Sequence, residues 1–218
     1  MGIDGALFNL GTVCAMRGIL EKRGMTLATD FDATDTIWKD RPGLPDAKVF
    51  VHDVKYAGET AASKIAKILA EAAEQGANAT LVSALDEIAW ALNIRSRDVN
   101  CNPVATAFLY LSAKGSILFI KPEKIDTATA EYLKAAGVSV LPYPEVYSHM
   151  ASLADDTLVL VDATRTSVKA IDALGSRAVV GASPIPMLKA TKNDVQIAGI
   201  RKSMEIDGAA LVLSLIHI

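Results

Sequence analysis

A short helix with one apolar side stands at the centre of the sequence pattern. Leu85, Ile88, Ala89 and Leu92 recur at the i, i+3, i+4 and i+7 positions, which places them on one face of an α-helix. Two acidic residues occupy its first turn, where negative charge meets the positive end of the helix dipole. The run 83–104 continues into a charged turn and an Asn-Pro corner, and therefore predicts a junction between layers of the fold rather than a plain surface helix.

Apolar strand patterns alternate with helical patterns through the middle of the chain. Two of the strand patterns flank a tight turn at 113–115, which is typical of an antiparallel hairpin. Such alternation predicts an α/β fold in which helices flank a mixed sheet. The predicted strands are 79–82, 105–111, 116–120, 138–141, 157–161 and 178–180, and the predicted helices run from a cap at Thr60 or Ser63 to before Gly76 and over 127–136, 144–153 and 167–174.

The first segment, residues 1–47, has a different character. It carries one modest helical face and one predicted strand, 25–28, which cannot close a core by themselves because an isolated strand leaves its backbone groups unpaired. Pro42 and Pro45 then mark a linker. We therefore expect this segment to be poorly anchored to the regular middle of the chain.

A second predicted linker, 181–186, precedes the last helix. Asn193 followed by Gln196 three residues later forms the capping-box pattern of a helix start. The helix that follows carries an apolar stripe, and such a stripe needs a partner surface. The sequence supplies no partner after it, so we expect this helix also to be poorly anchored.

Composition argues against several classes of protein. The 218-residue chain is 51% hydrophobic and 22% charged, which suits a packed core and not intrinsic disorder. Its net charge of −3 comes with dispersed basic residues, which argues against a nucleic-acid partner. The longest apolar runs are too short to span a bilayer, so no membrane partner is expected. Cys14 and Cys101 lie far apart with no CxxC, and we expect a reduced, cytoplasmic chain.

A series of short motifs gives the chain a family resemblance. In order, they are IWKDRP, YAG, SALDEIAW, RDV, NPV, SPI, LKATKN and GIRKSMEIDGAAL. Together they resemble the three-domain Xaa-Pro aminopeptidases (aminopeptidase P) of the cytosolic type, which are creatinase/prolidase-like metallopeptidases. The resemblance implies that 1–47 is the end of a first domain and a linker. It also implies that 48–187 is a complete second domain of the creatinase/prolidase N-terminal type with a ribonuclease-H-like motif, and that 188–212 is the first helix of a truncated catalytic domain of the pita-bread fold.

The resemblance also implies a hydrolase activity that lies outside this chain. Enzymes of the family remove the N-terminal residue from peptides with proline second, and two divalent metal ions, expected to be manganese, activate a water. The family holds these ions with two Asp, one His and two Glu, at positions that would lie beyond Val212. No catalytic and no metal-binding residue therefore carries over, and we expect this chain alone to be inactive and to hold no cofactor. The parent enzyme is expected to be a homodimer.

The last six residues, LSLIHI at 213–218, leave the family pattern. They resemble the in-frame translation of an adapter used in sequencing libraries, and a scar of that kind has to be excluded from fold reasoning. The alternative is a native apolar tail.

One charged turn is a candidate for a site of interaction. Arg95, Arg97 and Asp98 directly follow the central helix, and they are candidates for lining a substrate channel or a subunit interface. The alternative is an internal ion pair on a solvated turn, which contributes little to stability.

The first linker provides the other candidates. Trp38, Asp40 and Arg41 are predicted to clamp the interdomain linker. By contrast, the adjacent Asp86 and Glu87 point in different directions on their helix, so they are assigned to helix-start electrostatics and not to acid–base catalysis.

Two classes of function follow. The chain is either the non-catalytic portion of a metal-dependent Xaa-Pro aminopeptidase, or a stand-alone α/β binding or dimerisation module that has lost catalysis. The last helix favours the first class, because a mature module would end such a helix with a cap or avoid its apolar stripe.

Overall fold

The computed structural model describes residues 1–216, and its main feature is a six-stranded mixed sheet flanked by helices. The strand order is β6-β5-β4-β2-β7-β8, with β4 antiparallel to both of its neighbours and the other pairs parallel. This confirms the predicted fold class. The strands are β1 Phe50–Val51, β2 Ala79–Val82, β3 Ile94–Arg95, β4 Phe108–Ser112, β5 Ser116–Phe119, β6 Val138–Leu141, β7 Val159–Val161 and β8 Ala178–Val180. The helices are α1 Leu10–Glu21, α2 Ala33–Ile37, α3 Val54–Ala57, α4 Ala61–Glu74, α5 Leu85–Ala91, α6 Thr127–Ala135, α7 Val146–Ser152, α8 Val168–Leu174, α9 Ile185–Ala190 and α10 Asp194–Ile216.

The core lies on both faces of the sheet. In β4, Leu109 and Leu111 belong to the layer under α4, α5 and α6, while Phe108 and Tyr110 belong to the layer under α7 and α8. Alternate residues of a strand point to opposite faces, so a strand buried on both sides is apolar at every position. The central position of β4 therefore explains its continuous apolar run.

The first segment is anchored more firmly than the sequence indicates. Val13 of α1 is fully buried and packs against Val168 of α8. The backbone N–H of Val168 also donates to Phe8 O at 2.9 Å. The predicted strand at 25–28 is wrong, because these residues form no strand and Ala28 makes a single isolated bridge to Gly2.

The predicted second linker contains the start of a helix. α9 begins at Ile185, directly after Pro184, where a proline is tolerated because the first N–H groups of a helix have no internal partner. Ile185 is fully buried in the layer under α4, α5 and α6. The segment is therefore part of the packed body and not a loose connection.

The last helix, α10, projects from this body. Asn193 caps it as predicted, since its Oδ1 accepts from Gln196 N–H at 2.9 Å and its own N–H donates to Gln196 Oε1 at 3.2 Å. None of the residues of the 23-residue helix is buried. The predicted tail 213–218 lies partly within α10, and its last two residues are outside the described range. Within residues 1–216, no helix combines the length and apolar character needed to cross a membrane.

Candidate functional site

The charged turn after α5 sends its three candidate side chains in different directions. Arg95 Nη1 donates to Ala89 O at 2.7 Å and to Ile94 O at 2.8 Å, so its guanidinium closes the end of α5. Burial lowers the pKa of this guanidinium. Arg97 is exposed and lines an open depression of about 280 Å³ together with Cys101. The structure therefore leaves Arg97 as the member of the turn that can meet a partner, and its role in a channel or an interface stays a prediction.

The third member of the turn, Asp98, faces inward. Its carboxylate pairs with Lys124, and the side chains of both residues are almost completely buried, at 0% and 1% exposure. Thr106 N–H donates to Asp98 Oδ2 at 2.6 Å and Ser96 Oγ to Oδ1 at 3.3 Å. Burial alone would raise the pKa of Asp98, but the hydrogen bonds from Lys124 and Thr106 outweigh it and lower that pKa. This ion pair is buried and hydrogen-bonded, unlike a pair on a solvated turn.

The candidates of the first linker lie close to α2. Arg41 Nη1 contacts Asp32 Oδ2 at 3.1 Å, and Asp32 in turn caps α2. Trp38 is half exposed and ends the same helix, while Asp40 is exposed. Arg41 thus fastens the linker to its own preceding turn, and the predicted interdomain clamp stays a prediction.

A polar cluster that the sequence did not reveal lies where β2, β7 and β8 end. Glu87 is buried there, with Ser183 Oγ donating to its Oε2 at 2.7 Å and Arg165 Nε lying 3.3 Å from its Oε1. Asp162 Oδ2 accepts from Ser183 N–H at 3.3 Å, and the buried Ser83 Oγ has no hydrogen-bond partner among residues 1–216. Burial raises the pKa of Glu87. The adjoining cavity of about 10 Å³ has room for one water and not for a substrate.

Lys64 is a buried titratable group that no sequence motif singles out. Its Nζ donates to Asn93 Oδ1 at 2.7 Å and to Trp90 O at 3.0 Å, and lies 4.4 Å from the centre of the Trp90 ring. Burial lowers the pKa of Lys64 to about 8. A groove of about 550 Å³ between α4 and α9 adjoins it, but Lys64 is only 1% exposed. With its hydrogen bonds directed to protein acceptors, Lys64 fastens α4 to the end of α5 and is closed to a substrate.

The possible metal-donor side chains of the described residues lie apart from one another. Among residues 1–216, no three His, Cys, Asp or Glu side chains converge closely enough to hold a metal ion. His149 contacts the rings of Tyr110 and Phe119, with ring centres 5.4 and 5.5 Å away, and burial lowers its pKa. The described residues therefore do not fit a centre of two metal ions.

Comparison with known proteins identifies the family. The family model for the creatinase/prolidase N-terminal domain matches residues 40–196. A probable Xaa-Pro aminopeptidase P of Laccaria bicolor is 34% identical to the chain, with 97% of this chain and 34% of the relative covered. Aminopeptidase P1 of Arabidopsis thaliana is 30% identical, with coverage of 99% and 38%.

A solved structure agrees with these sequence matches. X-prolyl aminopeptidase of Caenorhabditis elegans, described as a cytosolic enzyme with a di-nuclear active site, superimposes with a TM-score of 0.89 at 29% identity. The match covers 99% of this chain and 36% of the nematode chain. The chain thus spans about a third of the length of the relatives it matches.

Proposed function

The chain belongs to the creatinase/prolidase N-terminal domain family, and from this premise we propose that it is the non-catalytic portion of an Xaa-Pro aminopeptidase. The parent enzyme would remove the N-terminal residue from peptides with proline second, in the cytosol and as a homodimer. In this proposal 1–47 ends a first domain, 48–187 forms the second domain, 188–212 begins the catalytic domain, and 213–218 is not native. The observation that carries the proposal is the match of nearly the whole chain to aminopeptidases in both sequence and structure.

The exposed surface of the whole chain supports a covering partner. The chain exposes 12433 Å², whereas a compact monomer of 23.0 kDa exposes about 9,600 Å². The excess of roughly 2,800 Å² is comparable to a large protein interface. α10 exposes large apolar side chains, among them Ile200, Met204 and Leu211, and a catalytic domain that continues from α10 would cover them.

The proposed chemistry lies outside this chain. Two metal ions, proposed to be manganese, would activate water and polarise the scissile carbonyl in the parent enzyme. The described residues do not fit such a centre, so we propose that the 218-residue chain binds no manganese pair and cleaves no Xaa-Pro peptide. In this proposal the chain contributes to the parent enzyme a rigid body and the base of α10.

A direct assay tests this proposal. The purified chain is incubated with manganese and the peptide Arg-Pro-Pro, and release of free arginine is followed by mass spectrometry, with the nematode enzyme as positive control. We expect no release from the chain. Turnover by the chain that a chelator abolishes would overturn the proposal of inactivity.

Reading the source DNA past the codon for Val212 tests the parent's identity. We expect an open frame that encodes two Asp, one His and two Glu at metallopeptidase spacing, and the product of that frame should cleave Arg-Pro-Pro. A genuine LSLIHI coding sequence followed by a stop codon would refute this and support the stand-alone binding or dimerisation module.

A further inference from the structure

The segment between β8 and α10, residues 181–193, is held against the body along its length. We call it the connector. Near its start, Gln75 Nε2 of α4 donates to Ala182 O at 3.0 Å. In its middle, Ile185 is fully buried in the core layer under α4, α5 and α6. The connector is therefore an ordered part of the packed body and not a flexible linker.

The two adjacent carboxylates of α5 each bind a different residue of the connector. Glu87 Oε2 accepts from Ser183 Oγ at 2.7 Å in a buried setting. Asp86 Oδ2 lies 2.5 Å from Lys189 Nζ at the surface. Since neighbouring helix positions point in different directions, one turn of α5 grips the connector at two points six residues apart.

The base of α10 is fixed by a third contact. Asn193, which caps α10, donates from Nδ2 to Ala57 O at 2.9 Å. A Cβ at Gly58 would lie 2.3 Å from Asn193 Oδ1, so the close approach requires glycine. None of the residues of α10 is buried, and its start packs against α3. The orientation of the helix is therefore set at its base.

Because α10 is long, a small rotation at its base produces a large displacement of its far end. The part of α10 up to Val212, which the proposal counts as native, has 19 residues that rise about 1.5 Å each and span roughly 28 Å. A rotation of about 10° at the base would displace the far end of that part by roughly 5 Å, as follows from that length. Misplacement of reacting groups by about 1 Å can lower a reaction rate by roughly 100-fold.

We propose that Asp86 and Glu87 are positioning residues, which grip Lys189 and Ser183 of the connector and thereby fix the direction in which α10 leaves the body. This inference rests on the proposed function for its consequence: in the parent enzyme, the pair would orient the catalytic domain that α10 begins. The carboxylates touch no substrate and act through the connector.

The test measures a distance across the base of α10 in the full 218-residue chain. Spin labels are attached through Glu131→Cys on α6 and Glu205→Cys on α10, both at exposed positions, in a background of Cys14→Ser and Cys101→Ser. Double electron–electron resonance then gives the distribution of label-to-label distances. The width of this distribution reports how tightly the direction of α10 is held.

Two double variants break the grip from opposite sides. Asp86→Asn/Glu87→Gln changes the body, and Ser183→Ala/Lys189→Met changes the connector. We expect each to widen the distribution at least twofold, and the quadruple variant to be no wider than either, because both doubles remove the same contacts. The connector variant changes only partly buried side chains and leaves the carboxylates of α5 in place, so it carries the test if the body variant does not fold.

A matched control separates positioning from general loss of stability. Glu71→Gln/Glu74→Gln changes two exposed carboxylates on α4 and should leave the width unchanged. The thermal midpoint is recorded for every variant, and a widened distribution at an unchanged midpoint supports positioning. An unchanged width in both double variants would overturn it. The distance needs no reaction, so either result stands whether or not the parent cleaves Xaa-Pro peptides.

Discussion

Replacing Lys124 by methionine should destabilise the fold strongly, because it leaves the Asp98 carboxylate buried without its cation. Lys124→Met keeps the length and packing of the side chain and removes its charge. The ammonium lies against Asp98 with both side chains at most 1% exposed. The change therefore isolates the ion pair from the packing around it.

The magnitude follows from the burial of the pair. Removing one partner of a buried ion pair costs about 3–5 kcal/mol, because the remaining charge is uncompensated. For a chain of this size, each kcal/mol lowers the thermal midpoint by about 2–4 °C, so we expect a decrease of roughly 6–20 °C. Thr106 N–H and Ser96 Oγ still donate to Asp98, which favours the lower part of this range.

The pH dependence gives an independent readout. The pKa of Asp98 is lowered in the folded state, so its carboxylate contributes stability above the unfolded pKa of about 3.9 and loses it as the pH falls through the folded pKa. Without Lys124, burial still raises this pKa but the largest opposing contact is gone. The acid-unfolding midpoint should therefore move to higher pH in Lys124→Met.

Urea and thermal unfolding, followed by circular dichroism at pH 7, measure the effect. Lys114→Met is the matched control, since its side chain is 83% exposed and lies 3.9 Å from Asp156; it should cost less than about 1 kcal/mol. The double variant Asp98→Asn/Lys124→Met should recover part of the loss, because no buried charge remains. A loss below about 1 kcal/mol in Lys124→Met, equal to that of the control, would refute the reasoning.

Three further predictions concern other parts of the chain. Burial lowers the pKa of His149, so the fold should lose stability as the pH falls below about 6.5, because the unfolded state then takes up a proton that the folded state excludes. Urea titrations at pH 5 and 7.5 measure this loss of unfolding free energy, which should be smaller in His149→Phe than in the unaltered chain. Gly58 has φ +70° and approaches Asn193, whereas Gly76 has φ +80° and open space around it. Gly76→Ala should lower the unfolding free energy by about 1–2 kcal/mol from backbone strain alone, and Gly58→Ala should lower it further. Equal unfolding free energies of the two variants would contradict the close approach. Amide hydrogen exchange should be fast in α10 beyond residue 200, where no residue is buried, and protection equal to that of β4 would show that the helix is covered.

The sequence predicted the helix caps and the hairpin correctly, because short-range contacts determine them. The Thr60 hydroxyl accepts from Ser63 N–H as a helix cap should, and Asn193 and Gln196 bond reciprocally. The hairpin at 113–115 also needed only its own turn and two apolar runs. Each of these features depends on a few residues that are neighbours in the chain, so it can be recognised from the sequence alone.

Contacts between distant residues could not be predicted in this way. α9 was missed because Pro184 and Pro186 favour a linker, whereas the burial of Ile185 depends on helices that lie far away in sequence. Lys124 stands 26 residues from Asp98. Nothing in either local pattern indicates that they meet, since a charged turn is equally compatible with solvent.

The buried titratable groups hold structural elements in place and are not arranged as a catalytic site. Lys64, Glu87 and Asp98 all have shifted pKa values, and perturbed pKa values often mark catalytic sites. Here, however, each group is bonded to a neighbouring element: Lys64 to the end of α5, Glu87 to the connector, and Asp98 to Lys124. Structural networks shift pKa values by the same burial and hydrogen bonding. Lys64 and Glu87 bind the end of α5 and the connector, so two of the three perturbed groups lie in the region that we propose orients α10. Asp98 instead joins the charged turn to Lys124, directly before α6.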